Sequence, residues 1–120
     1  MADEVVIAFM SGPKDGSTLT FDAPLDPNMP IELTIGRRDG CDVCLSYDSQ
    51  VSREHAVLIF DGEKFWLEDA QSTNGTFIED DKTEGRVEIL PGQLFRVGRT
   101  WLRVEPMARF APLEPDDLPF

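Results

Sequence analysis

The sequence predicts an all-β domain, a β-sandwich of two mainly antiparallel sheets with its functional loops at one end. Three observations support this fold class. Apolar residues recur at every second position along many short segments, which is the period of a strand with one buried face. Turn-forming dipeptides such as Asn74-Gly75 and Pro91-Gly92 separate these segments at short intervals. No window of about 12 residues shows the 3.6-residue period of an amphipathic helix, so the pattern is typical of a sandwich or a barrel.

The predicted strands are short and differ in how many faces are apolar. Along residues 31–35, Ile and Leu alternate with Glu and Thr, whereas residues 55–60 are apolar on both faces, which predicts a strand covered on both sides. Residues 22–30 contain three prolines and are predicted to be a loop. The acidic residues 79–84 are predicted to be an exposed hairpin connection. The predicted strands are 5–9, 31–35, 43–45, 55–60, 65–67, 87–89, 94–97 and 101–105.

The alternation ends near the end of the chain. With 120 residues, the chain has the length of one domain. Residues 106–120 contain four prolines and no strand pattern. We therefore predict one domain over residues 1–105 and a Pro-rich acidic tail or linker over residues 106–120. Two interpretations of residues 106–120 remain open. The segment is a mobile tail, or it docks on the domain or on a neighbouring protein through its apolar residues, Phe110, Leu113, Leu118 and Phe120.

The charge excludes several classes of function. The chain has 23 acidic and 11 basic side chains, with a formal net charge of −12. That balance argues against general nucleic-acid binding, which requires cations to neutralise phosphates, and against binding to anionic membrane surfaces. No apolar run approaches the ~18–20 residues needed to span a membrane, and the acidic start lacks the basic region of a signal peptide. We expect a cytoplasmic protein.

The two cysteines form a CxxC motif, Cys41 and Cys44. A structural zinc site needs four ligands, but there is no second CxxC and His55 is the only histidine. A redox motif would have a helix start behind it, and residues 45–47 do not begin a helical pattern. We interpret the pair as two thiols on a short strand and expect neither a metal nor another cofactor.

Polar residues with hydrogen-bond donors are concentrated in the turns. Gly36-Arg37 ends one predicted strand, residues 52–55 precede another, and residues 72–76 precede Phe77. Loops at one end of a sandwich cluster in space. If these three turns share an end, they bring together guanidinium groups, hydroxyls and an amide, which offer donors and few acceptors. Such a set suits a dianionic group such as a phosphate.

The order and spacing of five motifs resemble the forkhead-associated (FHA) domain, a phosphothreonine-binding β-sandwich family with an FHA/SMAD-like fold. The motifs are residues 34–37, 51–56, 69–77, 90–92 and 97–98, and the resemblance covers roughly residues 5–105. It implies a non-catalytic module that binds a phosphothreonine-containing protein or peptide, the substrate of a Ser/Thr kinase, and so couples phosphorylation to assembly or signalling.

The resemblance also implies a role for each matched residue. Arg37 corresponds to the family's phosphate-binding arginine, and Ser52 to the serine whose hydroxyl donates to the phosphate. Arg53 lies where the family often places a basic or amide residue against the phosphate. Thr73 corresponds to the residue of the second loop that approaches the phosphate. Asn74 corresponds to the asparagine that hydrogen-bonds the peptide backbone.

Three further matched residues are expected to support the site. His55 would brace the loop that carries Ser52, Gly75 would permit a tight turn, and Gly36 would support the strand end before Arg37. One departure is visible, because the family's Asn-Gly turn after this region is replaced by the acidic residues 79–84.

Two alternatives remain beside the phosphothreonine-binding hypothesis. One is an FHA-fold scaffold that makes phospho-independent protein contacts. The other is a hydrolase in which Ser52, His55 and Asp69 act as nucleophile, base and orienting group, but no nucleophile elbow or oxyanion loop accompanies them. We expect Arg38 to point away from Arg37 into solvent. The acidic surroundings predict that peptides with basic flanks bind better than acidic ones.

Overall fold

The computed structural model describes residues 3–23 and 29–106, and these residues form two packed β-sheets. Most of the predicted loop 22–30 and all but the first residue of the predicted tail 106–120 lie outside the described residues. The strands are β1 (Asp3–Phe9), β2 (Thr18–Ala23), β3 (Ile31–Gly36), β4 (Val43–Cys44), β5 (Ala56–Phe60), β6 (Phe65–Asp69), β7 (Thr76–Ile78), β8 (Asp81–Lys82), β9 (Arg86–Ile89), β10 (Leu94–Val97) and β11 (Thr100–Val104), with a short 3₁₀ helix at Gly12–Lys14.

The strand order confirms the predicted sandwich of mainly antiparallel sheets. One sheet has six strands in the order β2-β1-β11-β10-β7-β8, and the other has five in the order β4-β3-β5-β6-β9. Every pair is antiparallel except the short parallel pair β3–β4.

The apolar core lies between the two sheets and follows the alternation in the sequence. Along β11, Leu102 and Val104 are buried and their neighbours Trp101 and Arg103 are only partly buried. The fully buried aromatic rings include Phe95. The other members of this core come from both sheets and the loop before β5, among them Ile7, Ile35, Val51, Leu58, Phe60, Leu67 and Ile89.

The structure has three strands that are absent from the predicted set, β2, β7 and β8. β2 was not predicted, and it includes Asp22 and Ala23, the first residues of the predicted loop 22–30. Pairing with β1 and the packing of Phe21 against the core stabilise it. In the predicted connection 79–84, Asp81–Lys82 form a two-residue strand that pairs with β7. Such short strands depend on their partner rather than on their own alternation.

The pairing register brings three loops to one end of the sandwich. Ile35 near the end of β3 lies opposite Ala56 at the start of β5, and Ala56 lies opposite Asp69 at the end of β6. The loops that follow β3, precede β5 and follow β6 therefore emerge together. These are the three turns in which the sequence concentrates its polar donors.

Asp48 joins the loop before β5 to the opposite sheet. This carboxylate is 5% exposed and accepts a hydrogen bond from the backbone N–H of Gln50 at 3.0 Å. It also accepts bonds from the backbone N–H of Arg99 at 2.8 Å and the hydroxyl of Thr100 at 2.7 Å. Burial by itself would raise the pKa of Asp48, but these hydrogen bonds outweigh it and the pKa lies below its ordinary value.

We expect Asp48→Asn to lower the free energy of unfolding by about 2 kcal/mol at neutral pH, because an amide NH₂ would face one of these donors. The folded-state pKa lies below the unfolded one, so the contribution of the carboxylate is complete above pH ~4 and is lost as the pH falls further. Denaturant unfolding at several pH values should therefore show that the difference in free energy of unfolding between Asp48→Asn and wild type becomes smaller as the pH falls below ~4. The exposed Asp80→Asn serves as control, and a difference that grew as the pH fell would contradict the argument.

Candidate functional site

Backbone hydrogen bonds extend the pairing of β3 into the loop before β5. The N–H of Arg37 donates to the carbonyl of Ser52 at 3.0 Å, and the N–H of Arg38 donates to the carbonyl of Arg53 at 3.3 Å. Two residues after Arg53, the N–H of His55 donates to the carbonyl of Ile35 at 2.8 Å. The side chains that follow β3 are therefore fixed beside those that precede β5.

Gly36 permits this close approach. A Cβ atom built on Gly36 would lie 2.1 Å from the carbonyl oxygen of Arg53 and 2.9 Å from the Sγ of Cys41. Any side chain at this position would push the strand end and the loop apart. The role predicted for Gly36, support of the site, has this steric basis.

The Arg37 side chain is exposed and is anchored at one nitrogen. Its Nε donates to the carbonyl of Val51 at 3.0 Å. Among residues 3–23 and 29–106, its two terminal nitrogens have no protein partner, and the same holds for the guanidinium of Arg53. Arg37 is thus partly oriented and keeps a pair of free donors, the geometry with which arginine binds phosphate or carboxylate in a bidentate manner.

A shallow depression of about 320 Å³ is lined by Arg37, Arg38, Asp39 and Arg53. The Arg38 side chain is 55% exposed, as expected for a solvated charge, but it lines the same depression as Arg37 instead of pointing away from it. Its Nη2 forms an ion pair with Oε1 of Glu54 at 3.0 Å. β3 ends at Gly36 and residues 37–42 form bends and a turn, so the alternation of a straight strand does not continue past Gly36.

Ser52, in the loop before β5, contacts the loop after β6 and has a hydroxyl proton available to donate. Its Oγ accepts a hydrogen bond from the backbone N–H of Thr73 at 3.0 Å. A hydroxyl that accepts still has one O–H to donate, and no described residue accepts it. The structure therefore places a free hydroxyl donor on the segment that carries Arg53, directly beside Thr73.

Asn74 connects the loop after β6 to the loop before β5. Its Nδ2 donates to the backbone carbonyl of Gln50 at 2.8 Å and approaches the Gln50 side-chain oxygen at 3.2 Å. Asn74 and Thr73 are both exposed. The amide of Asn74 is thus held at the surface with its carbonyl oxygen free among the described residues.

His55 is fully buried and joins the two loops from below. Its Nδ1 accepts the backbone N–H of Ser52 at 3.0 Å, so the other nitrogen, Nε2, carries the proton and donates to the carbonyl of Gly75 at 2.8 Å. The imidazole is neutral in this arrangement. Its ring nitrogens are both committed to backbone groups, so the geometry gives no support to His55 as a base for the hydroxyl of Ser52.

Asp69 organises the turn after β6 and does not contact His55 by a hydrogen bond. It accepts bonds from the backbone N–H and the hydroxyl of Ser72, and from the hydroxyl of Thr76 at 2.7 Å. The Ser72 hydroxyl in turn accepts the N–H of Gly75 at 2.9 Å, where φ is +86°. Burial alone would raise the pKa of Asp69, but the bonds from Ser72 and Thr76 hold it below its ordinary value.

The family assignment follows from sequence matching. The family model described as "FHA domain" matches residues 33–98, the segment that contains every loop of this site. The chain belongs to the FHA domain family. FhaB, an FHA domain-containing protein of Mycobacterium tuberculosis, is 35% identical over 74 residues, which are 62% of this chain and 47% of that protein. The chain thus spans about half the length of the curated relatives it matches.

Solved structures place this FHA domain in the same fold. The FHA domain of CT664 from Chlamydia trachomatis has a TM-score of 0.74 and 22% identity, with 86% of this chain and 97% of that chain covered. An FHA domain from a study of phosphothreonine-dependent FHA interactions has a TM-score of 0.71 and 25% identity, with 92% and 99% covered.

The thiols of this FHA domain lie behind the arginine loops. Cys41 precedes β4 and its Sγ donates to the carbonyl of Arg53 at 3.4 Å, while Cys44 on β4 contacts the carbonyl of Arg37 at 3.8 Å. Both are free thiols. Within the described ranges, no group of three or more His, Cys, Asp or Glu side chains is arranged to hold a metal ion. The described part of the chain also has no helix that is long and apolar enough to cross a membrane.

A second depression, about 360 Å³, lies at the opposite end of the five-stranded sheet, beside Phe65 and Ile89. Its cation, Lys64, is 3.8 Å from the carboxylate of Glu88. The arginine-lined depression is therefore the better site for an anion, although it is smaller.

The sequence did not predict the ion pair between Arg38 and Glu54 or the hydrogen bond by which Gln50 holds Asn74. Nothing in their spacing identifies these contacts. Ser72 could have been found, because a serine three residues after an aspartate at a turn is a common side-chain-to-backbone motif.

Proposed function

We propose that this FHA domain binds phosphothreonine-containing segments of partner proteins and catalyses no reaction. The observation that carries the proposal is the arginine-lined depression, where Arg37 and Arg53 keep free guanidinium donors beside the free hydroxyl of Ser52. A phosphate carries a charge of about −1.5 to −2 at neutral pH and three strong acceptor oxygens. The phosphothreonine-dependent interactions of the structural relative with 25% identity support the same ligand class.

In this proposal each residue has one task. Arg37 binds two phosphate oxygens through its terminal nitrogens, and Arg53 supplies a second cation. The hydroxyl of Ser52 donates to a third oxygen, and Thr73 approaches from the adjacent loop. Asn74 offers its free carbonyl oxygen to a backbone N–H of the bound segment. His55 and Gly75 act indirectly, since their hydrogen bond holds the two loops together.

The net charge of −12 limits how the partner is captured. The arginines lie beside two carboxylates, Asp39 and Glu54, so the local excess of positive charge is small. Charges elsewhere on the surface are largely screened beyond the ~8 Å Debye length at physiological salt. Binding would therefore depend on short-range geometry rather than on long-range electrostatic steering.

We also propose where and why this binding takes place. The partner would be phosphorylated by a Ser/Thr kinase in the cytoplasm, and binding would couple that phosphorylation to assembly or signalling. We further propose that residues 1–105 form the binding domain and that residues 106–120 form a tail or linker.

An oriented phosphothreonine peptide library followed by calorimetric titration tests the proposal. We expect the selected peptide to bind and its unphosphorylated form to bind far more weakly, because the arginines would then lack a dianion. Equal affinity for the two forms would contradict the proposal and favour an FHA-fold scaffold with phospho-independent contacts.

Replacing phosphothreonine by phosphoserine in the selected peptide removes one methyl group. We expect about a fourfold loss of affinity, the equivalent of ~0.8 kcal/mol for one buried methyl-sized group. Calorimetry on the matched pair of peptides measures the ratio. An equal or higher affinity for phosphoserine would show that the methyl group is not buried.

A further inference from the structure

The Arg38–Glu54 ion pair stands beside the two arginines whose donors are free. Its atoms are 3.0 Å apart, and the side chains are 55% and 62% exposed. The backbone bond from Arg38 to Arg53 fixes the two segments side by side. Arg38 thus shares a depression with Arg37 and Arg53, but its charge is neutralised by a carboxylate of the same chain.

We propose that Arg38 and Glu54 form an exchangeable ion pair that makes the site prefer phosphothreonine segments with a nearby lysine or arginine. This inference rests on the proposed function of the same depression. An exposed ion pair is weak, because water screens it and both side chains lose conformational freedom. A phosphate carries up to twice the charge of a carboxylate, so Arg38 exchanges Glu54 for the phosphate when the ligand enters.

The exchange has a consequence for the segment on either side of the phosphothreonine. Once Arg38 contacts the phosphate, the carboxylate of Glu54 loses its partner while it remains next to the bound segment. A lysine or arginine of that segment can replace Arg38 as the partner of Glu54. An acidic side chain there is repelled by Glu54 and by Asp39, which lines the same depression.

The first test replaces the exchanging cation. We expect Arg38→Gln to weaken binding of a phosphothreonine peptide about three- to tenfold and to leave thermal stability unchanged, since the pair is exposed. Arg86→Gln is the matched control, because Arg86 also forms an exposed ion pair, with Glu68, but lies outside the depression. Equal affinity in Arg38→Gln and wild type overturns the proposal.

The second test compares two peptides that differ only by lysine or glutamine, with the substituted position moved in turn along both sides of the phosphothreonine. At one or more positions, we expect wild type to bind the lysine peptide about two- to fivefold more tightly, and Glu54→Gln to abolish that preference. Glu68→Gln is the control and should retain it, because Glu68 also pairs with an exposed arginine, Arg86, but lies outside the depression. No lysine preference in wild type, its persistence in Glu54→Gln or its equal loss in Glu68→Gln overturns the proposal.

Two variants distinguish failure of the ion-pair exchange from failure of the proposed function. If Arg37→Ala and Arg38→Gln both bind the phosphopeptide as wild type does, the proposed function itself is wrong. If Arg37→Ala loses binding and Arg38→Gln does not, the phosphothreonine site stands and only the exchange is wrong.

Discussion

Arg37→Ala is expected to weaken phosphothreonine-peptide binding by about one to two orders of magnitude. A single charge-assisted hydrogen bond contributes ~1.5–3 kcal/mol, and the loss of one such bond corresponds to about one to two orders of magnitude in the dissociation constant. The stability of the domain should change little, because the side chain is exposed and its one hydrogen bond within the described residues is to the carbonyl of Val51. Calorimetric titration with one phosphopeptide gives the ratio of dissociation constants.

Three further variants separate the phosphate contacts from general charge. Arg37→Lys keeps the charge but loses the planar fork, so we expect an affinity between those of wild type and Arg37→Ala. Ser52→Ala should also weaken binding, because it removes the free hydroxyl donor and the acceptor of the Thr73 N–H. Arg86→Ala, outside the depression, should bind as wild type does. Unchanged affinity in both Arg37→Ala and Ser52→Ala would refute the site assignment.

Gly36→Ala is expected to damage stability and binding together. The new Cβ would lie 2.1 Å from a backbone carbonyl oxygen of Arg53, and a backbone atom cannot move aside as the end of a flexible side chain can. Overpacking of this kind costs about 1–3 kcal/mol. The displaced segment carries Ser52 and Arg53, so phosphopeptide affinity should fall at least tenfold at temperatures where the variant remains folded.

Gly40→Ala is the matched control in the same loop. A Cβ at Gly40 meets only the Nε of Arg38, at 3.9 Å, which is an ordinary contact. Thermal unfolding and calorimetry should find this variant close to wild type in both properties. If Gly36→Ala bound phosphopeptide as tightly as Gly40→Ala, the close approach of β3 to the Arg53 segment would not be needed for the site.

The strands show how far sequence alone reaches. β3, β5 and β6 were predicted within one or two residues, because β3 and β6 alternate along one face packed on the core and β5 is apolar throughout. β2 and β8 were not predicted, since each is held by its neighbour: β2 by β1, and the two residues of β8 by β7. A strand that depends on a partner carries little information in its own residues.

In the site too, some residues were predicted from the sequence and some contacts were seen only in the structure. Arg37, Ser52, Thr73 and Asn74 were predicted from their motifs, and the structure brings the loops that carry them to one end of the sandwich. The position of Arg38 was predicted wrongly, because it depends on how the chain turns after Gly36. The role of Asp48, which joins residues from opposite sheets, has no signal in local sequence.

The sequence by itself determined the fold class, the family and the set of donors, because alternation, turn residues and motif spacing are properties of neighbouring positions. Only the tertiary structure decided which charges are free. Within the described ranges, the terminal nitrogens of Arg37 and the guanidinium of Arg53 have no protein partner, whereas Arg38 is paired with Glu54. The physical reason is that a side chain's partner depends on which segments the sheet register brings together, and this register is set by packing across the whole sandwich.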